Sequence, residues 1–462
     1  MITANTHQNH TFDVVILGGG PAGTAAGMTL LKREGLSVAV VEASDYTKPR
    51  MGESLSPGMR PLLEYLHVWE PFKQEQSLKT FGSQAAWGSD TPSTLDYMFT
   101  LHGNGWNLDR VRFDKMMATA FCEQGGHLLT KTHFLNIEET TSHDIDDSSD
   151  PTWRIHVQHQ EGGIQEIRSR YVIDATGRQG RLARQLGAVR RVHDRLIGVG
   201  CIGQLPDNAA IEHTILVEAC EYGWWYTSPI PGNKLSVVLI SDADVIHQGH
   251  MAQPAQWHAL LNDMPLSKQR VCDVRFEQPP KAFPCFSSCL QQVGGAQWVA
   301  VGDAVASHDP LSSSGISHAI GSGVHGALVA ENTLFGDGQL LQEFQQGIHN
   351  NFMQYLRTHW QYYRTETRWP DSLFWQRRTT PITTAPELTI EQRSSATSAG
   401  FTKMTHLPAR FAEELYLRCR VGRVVHEIVR DFSRKYPQVP DNQIILGLQE
   451  LIQRGHVVCQ PV

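Results

Sequence analysis

The sequence predicts an α/β protein: a domain founded on a parallel β-α-β unit, an antiparallel-sheet domain inserted into it, and a small C-terminal helical module. Three observations predict this. An apolar run, a glycine cluster, a small-residue helix and a second apolar run follow one another within residues 12–42. Short strand-like runs separated by turn residues occupy residues 195–280. Two amphipathic helical patterns close the chain beyond residue 403.

With 462 residues the chain is too long for one ordinary core. The expected division is a discontinuous nucleotide-binding domain over 1–190 and 281–345, and a substrate domain over 191–280. An aromatic-rich helix and linker over 346–402 and a winged-helix-like module over 403–462 follow. Hydrophobic residues make up 40% and charged residues 19%, a globular rather than disordered balance. A net charge of -7 gives no reason to expect a chain-wide nucleic-acid or membrane surface. The eight cysteines form no CxxC pair and no zinc spacing, which fits reduced thiols. The polar start MITANTHQNHTFD has no apolar signal region, and no apolar run approaches the roughly 18 residues of a spanning helix. A cytoplasmic location is expected.

The elements follow in order. FDVVIL (12–17) reads as a buried strand, AAGMTLLKR as the helix after it, and SVAVVE (37–42) as the second strand. Residues 133–172 read as a three-stranded meander. Its turns are the Ser-rich acidic DIDDSSD and the Glu-Gly-Gly of 161–163, and it ends in YVIDATG. LIGVGCIG, HTILVEA and KLSVVLIS are the strands of the inserted sheet, and QWVAVGDAV returns the chain to the first domain. Residues 340–378 are helical and carry Tyr355, Trp360, Tyr362, Tyr363, Trp369, Phe374 and Trp375, whose expected role is packing onto the sheet. Residues 379–402, rich in Thr, Ser, Ala and Pro, read as a linker. VVHEIVRDF and the Ile444–Ile452 pattern read as helices, with Gly455 as the stop and Val457-Val458 as an extended segment.

The chemistry lies first in Gly18-Gly-Gly20-Pro-Ala-Gly23. It follows a strand and opens a helix, which is the context a GxGxxG phosphate turn requires. The helix N-terminus supplies N–H donors and partial positive charge to a pyrophosphate. Glu42 ends the second strand, where it can accept ribose hydroxyls. A second holding point distinguishes FAD from NAD, because FAD binds extended. The segment Gly302-Asp303 followed by His308-Asp309-Pro310-Leu-Ser312-Ser313-Ser314-Gly315-Ile316 provides it. Asp303 suits a ribityl hydroxyl. A helix beginning near Gly315 would direct its dipole at the flavin ring and favour the negative charge of the reduced form. Arg50, just before Gly52-Glu53-Ser54, and Arg110 in LDRVRFD can each reach the cofactor or a phosphate.

In that order GxGxxG, Glu42, RxGES, DRxxFD, DATG (174–177) and GDAxxxxDPLSSSGI resemble the flavin monooxygenase and halogenase superfamily over residues 12–378. The resemblance implies a glutathione-reductase-type, Rossmann FAD-binding domain with an aromatic-hydroxylase/halogenase-like substrate domain. Lys79 stands eight residues before Trp87, matching the lysine with which halogenases capture hypohalous acid. Gly223-Trp224-Trp225-Tyr226-Thr-Ser-Pro229 is similar to their GWxWxIP signature, with Tyr226 for the second Trp and Ser228 for Ile. Where tryptophan halogenases carry a Glu in the DPLSSSGI segment, this chain has Ser312. DPLSSSGI, GWWYTSPIP and YYRTETRWPDSLFWQRR are similar to flavoproteins that modify tryptophan inside another protein for tryptophylquinone cofactor biogenesis. The C-terminal module most resembles the flavoprotein of quinohemoprotein amine dehydrogenase maturation.

The resemblance implies an FAD-dependent monooxygenase that hydroxylates a tryptophan side chain of a protein substrate through a flavin C4a-hydroperoxide. Dioxygen is the co-substrate. Electrons come from NAD(P)H directly or through a flavin reductase, since no second GxGxxG is present. Lys79, His308 and Asp309 are the candidate catalytic residues. Gly18, Gly20, Gly23, Glu42, Arg50, Glu53, Ser54, Arg110, Gly302, Asp303, Pro310, Ser313, Gly315 and Ile316 are the candidate cofactor ligands. Trp224, Trp225 and Tyr226 are expected to wall the pocket. No metal is expected. The C-terminal module is a docking candidate for the protein substrate. One alternative is a halogenase of an aromatic small molecule. Another is a redox-sensing regulator whose basic residues Arg418, Arg420, Arg423, Arg430, Arg434 and Lys435 would meet DNA.

Overall fold

The structure, a computed structural model, describes residues 10–97, 101, 103–140, 152–207, 209, 211–381, 383–394, 401–402 and 404–460. The expected DIDDSSD turn lies outside them. The first sheet has a parallel centre. Its strands run, side by side, Trp298–Ala300, Ile164–Asp174, His10–Leu17, Val38–Val41 and His127–Leu129. Val14, Val15, Ile16 and Leu17 are all fully buried, as both faces of a parallel sheet must be when helices cover them. The helix Pro21–Leu30 covers one face, and the helix Gly315–Phe335 crosses it. A side chain at Gly323 would strike the Ala22 carbonyl at 2.3 Å, so glycine sets how closely the two helices approach. The meander is present as Thr132–Glu139, Trp153–His159 and Ile164–Asp174, antiparallel throughout.

The second sheet has seven strands in the order Lys281–Pro284, Leu196–Gln204, Lys234–Asp242, Gly223–Ile230, Thr214–Cys220, Gly82–Ala86 and Ser93–Asp96. All neighbours are antiparallel except Thr214–Cys220 with Gly82–Ala86. This corrects the expected 191–280 boundary, because two of the strands come from residues 82–96. SQAA and STLD are short and polar, so hydrophobic alternation does not mark them.

Alternate residues of a strand face opposite sides. Trp224 therefore packs with Tyr363, Phe374 and Trp375 on one face. Trp225 packs against Trp257, of the helix Pro254–Asn262, on the other, ring centroids 5.2 Å apart.

The helices Leu340–Tyr363 and Leu373–Thr379 fasten the two sheets together. Arg378 and Arg377 both donate to the buried Asp242, Arg378 Nη2 at 2.6 Å and Arg377 Nη1 at 2.8 Å. Burial opposes ionisation of Asp242, but the two guanidinium groups outweigh it and hold the pKa at about 2. The folded value lies below the unfolded one of about 4. The pair's contribution is therefore present above about pH 4 and is lost as pH falls through about 2. Asp242→Asn is expected to cost about 3 kcal/mol at neutral pH. Chemical unfolding at a series of pH values should show its curve converging on the wild type toward acid.

Residues 389–393, expected as linker, form a strand that pairs antiparallel with Val457–Gln460. Ile390 and Val457 bury themselves with Leu415, Phe432 and Leu448 in a separate core. The helices Ala409–Arg418, Val425–Lys435 and Asp441–Gln453 complete this module. The two strands that would form a wing come from its opposite ends and bracket the helices. Much of its basic charge is already met by acids. Arg418 and Lys435 pair with Glu414, and Arg423 with Asp431.

Candidate active site

A cavity of about 590 Å³ lies where the first sheet, the helix Gly315–Phe335 and the second sheet meet. Its first end is built by the turn after the first strand. Gly18 has φ +111°, and a side chain there would meet the Ala175 carbonyl at 2.2 Å. A side chain at Gly23 would meet the Gly18 carbonyl at 1.9 Å, so the helix starts directly on the turn. Gly20 lines the cavity with nothing within 4 Å of where its Cβ would be. Glu42 is buried, and its carboxylate accepts from Gly19 N at 2.7 Å, Ser44 N at 2.9 Å and Arg50 Nη2 at 3.2 Å. Burial works against its charge, and these hydrogen bonds pull its pKa below the ordinary value nonetheless. Thr132 and Phe134 of the meander wall this end.

The far end is built by residues 302–316. Gly302 has φ +60° and closes on Ala22. Asp303 lines the cavity and is held by Arg178 Nε at 3.3 Å. Arg190 fixes the same turn through the carbonyls of Asp303 and Ala304. Pro310, Ser313, Gly315 and Ile316 line the cavity at the start of the long helix. Arg110 reaches its middle. Its guanidinium grips Asp114 at 3.0 Å twice and donates to Gly52 O at 2.9 Å. Glu53 and Ser54 complete that wall, and Tyr226, Val238, Ile240 and Phe283 close it from the second sheet.

Of the candidate catalytic residues, His308 and Asp309 line the cavity and Lys79 does not. Lys79 is exposed on the strand Leu78–Thr80 and is not among the cavity's lining. Asp309 lines the cavity, but its carboxylate accepts from Leu311 N at 2.8 Å, His359 Nε2 at 2.9 Å and Tyr363 Oη at 2.7 Å. Burial opposes its ionisation, yet these donors lower its pKa, which ties it to holding the 310–316 turn. Burial pushes His308 down to about 3, helped by the nearby charge sites of His318 and Arg178, so the imidazole is neutral. Its Nδ1 lies 3.2 Å from Ser314 Oγ. Of the three expected pocket aromatics only Tyr226 lines the cavity; Trp224 and Trp225 are sheet core. Sequence reasoning missed the roles of His359 and Tyr363, since a helix rich in aromatics reads as packing. Arg178 had a signal, standing one residue after DATG.

An extended cleft with a glycine turn and helix start at one end, and a second helix start at the other, fits FAD along its length. The open space over Gly20 leaves room for a phosphate group to approach backbone, and Glu42 lines the same end of the cleft. The FAD binding domain family matches residues 11–325. The chain belongs to that family.

The flavoprotein is 31% identical over 373 residues to a protein of Marinomonas mediterranea that bears the name FAD-dependent oxidoreductase LodB. The match spans 80% of this chain and 97% of LodB. Its fold is similar to that of the myxobacterial chondrochloren halogenase CndH, with a TM-score of 0.72 and 20% identity. That likeness covers 81% of this chain and 87% of CndH. It is also similar to QhpG, described as a peptidyl tryptophan dihydroxylase essential for tryptophylquinone cofactor biogenesis. There the TM-score is 0.62 and identity 19%, over 96% of this chain and 99% of QhpG. The flavoprotein is a flavin-dependent enzyme of the monooxygenase and halogenase superfamily. Among the described residues, no helix is long and apolar enough to cross a membrane, and no cluster of metal-ligating side chains is present.

Proposed function

We propose that this enzyme hydroxylates a tryptophan side chain of a protein substrate, as a step toward a tryptophylquinone cofactor. One observation carries the choice of hydroxylation over halogenation: the parts that the halogenase resemblance requires are not gathered at the cavity. Lys79 is exposed and outside its lining. Position 312, where tryptophan halogenases carry a glutamate, is a serine whose hydroxyl donates to Asp309 O at 2.8 Å within a turn. The likeness to QhpG, which extends over nearly all of both chains, supports a peptidyl substrate.

Reduced FAD, when bound, supplies the electrons that activate dioxygen. The protein's part is to hold and to exclude. Gly18–Gly23 and the helix behind them would hold the pyrophosphate, Glu42 the ribose and Asp303 the ribityl chain. The N-terminus of Gly315–Phe335 would stabilise negative charge at the ring. Phe283, Val238 and Ile240 present apolar surface that keeps water from the reacting end. An indole needs no covalent activation, so placement and dryness supply most of what the reaction asks of the protein.

The halogenase reading keeps the CndH likeness and the spacing of Lys79 from Trp87. Purified protein should be incubated with FAD, a reducing system, oxygen and bromide, with free tryptophan and a tryptophan-containing polypeptide offered separately. Intact mass is expected to show one or two added oxygens on the polypeptide and none on free tryptophan. Lys79→Ala should then keep about the wild-type yield. A bromine isotope doublet would overturn the reading.

A further inference from the structure

The wall of the cavity contains a buried carboxyl group that holding the cofactor does not account for. Glu53 is 3% exposed and stands where the first sheet's domain meets the second sheet. Its Oε2 accepts from Gly52 N at 2.8 Å. The hydroxyls of Tyr226 and Ser236 approach the carboxyl group from the second sheet. Neither closes a hydrogen bond on Oε1, which has no partner. Ser236 Oγ is likewise buried and unpartnered. Buried polar atoms are nearly always satisfied, and unsatisfied ones that gather beside a cavity mark a place where a ligand group or water completes them. Arg110, also in the cavity wall, is the nearby cation, and its guanidinium is committed to Asp114.

We propose that Glu53 is the base of the site, taking the proton that the aromatic ring of the substrate releases after it has been substituted. This rests on the reading of the enzyme as one that hydroxylates an aromatic ring, and it holds equally if a halogen is delivered. When the electrophile bonds to a ring carbon, the ring's π pair forms the new bond, the bond that joined the transferred oxygen or halogen to its carrier breaks with its electron pair left on the carrier, and that ring carbon keeps its hydrogen as an sp³ C–H. Aromaticity returns when the C–H bond breaks, its electron pair re-enters the ring and the proton moves to Glu53 Oε1. Tyr226 and Ser236 position the carboxyl group. Burial pushes the Glu53 pKa up from its ordinary value, which makes the carboxylate a stronger proton acceptor than an exposed one. Asp309 and His308 are unsuited to the task, the first because its carboxylate is fully engaged and the second because its imidazole is too weakly basic.

The test compares wild type with Glu53→Gln, which keeps the shape and removes the proton acceptor. Both are loaded with FAD and given a synthetic tryptophan peptide carrying either a normal or a ring-deuterated indole. Expected for Glu53→Gln are normal FAD content, product formation lowered about 100-fold, and a primary deuterium isotope effect absent from the wild type. The wild type alone should lose product formation as pH falls through the raised pKa. Independently of turnover, infrared titration of the wild type should show a protonated-carboxyl band persisting above the ordinary carboxylate range and missing from Glu53→Gln. Loss of FAD from the variant would overturn the proposal by making Glu53 a cofactor ligand. Undiminished product without an isotope effect would overturn it too. If the wild type itself forms neither oxygenated nor halogenated peptide, it is the proposed function that fails; the proposal about Glu53 fails by itself only where the wild type is active.

Discussion

Gly18→Ala is expected to purify without FAD and to unfold several degrees below the wild type. At φ +111° a side chain costs about 1–2 kcal/mol in backbone strain. The new methyl would also lie 2.2 Å from the Ala175 carbonyl, which is backbone and cannot swing aside. Relief requires the first strand and the Asp174–Gly177 turn to separate, at a further cost of about 1–3 kcal/mol. That separation also breaks the amide cradle, so cofactor and stability go together. Gly20→Ala makes the control. Gly20 has φ -75°, and its Cβ would meet nothing within 4 Å. The variant should fold within about 1 kcal/mol of wild type, yet bind FAD at least about tenfold more weakly, because the methyl occupies the space a pyrophosphate needs. Absorbance of bound flavin and thermal unfolding of the FAD-free proteins separate the two effects. If Gly20→Ala binds FAD normally, the pyrophosphate does not pass over this turn.

Asp309→Ala should have the second large effect, and it should reach both sheets. The carboxylate receives Tyr363 Oη, His359 Nε2 and Leu311 N. Tyr363 Oη in turn accepts from Trp224 Nε1 at 2.9 Å, within the core of the second sheet. Removing the acceptor leaves these buried donors unpaired, at a cost of about 3–5 kcal/mol. The Pro310–Ser313 turn loses the hydrogen bond that shapes it, so FAD affinity should fall about tenfold or more. Asp309→Asn keeps one oxygen and should lose less of both. The pH dependence has a definite sign. The folded pKa of Asp309 is lowered, so its stabilisation is present above the ordinary carboxylate range and disappears as pH falls below it. Urea unfolding and flavin titration of both variants at neutral and acid pH check this. A stability equal to wild type in Asp309→Ala would remove the proposed link between the turn and the aromatic helix.

The residues that line the two ends of the cavity were legible in the sequence because their placement is local. Gly18, Gly20, Gly23 and Glu42 lie within one β-α-β unit. Their spacing follows from strand rise, turn geometry and the start of a helix. The residues 302–316 were legible for the same reason. The orientation of the candidate catalytic residues was not. Lys79, His308 and Asp309 are each plausible from residue type, but residue type does not say where a side chain points. Lys79 alternates outward between Leu78 and Thr80 on its strand. Asp309 is neutralised as a base by donors about fifty residues further along. The same limit applied to Trp224 and Trp225, which a pocket signature groups together and strand alternation sends to opposite faces.

The sequence by itself determined the β-α-β founding unit, the glycine turn and the helix start at the two ends of the cleft, and the helical character of the C-terminal module. In each, the physics that fixes the structure acts between residues close in the chain. Only the tertiary structure decided which strands complete the second sheet, that the linker's strand belongs to the C-terminal core, and that Glu53, rather than Asp309, is the carboxyl group left unsatisfied at the cavity. Hydrogen bonds and burial set those outcomes. Both depend on partners brought from distant parts of the chain, which periodicity and spacing do not record.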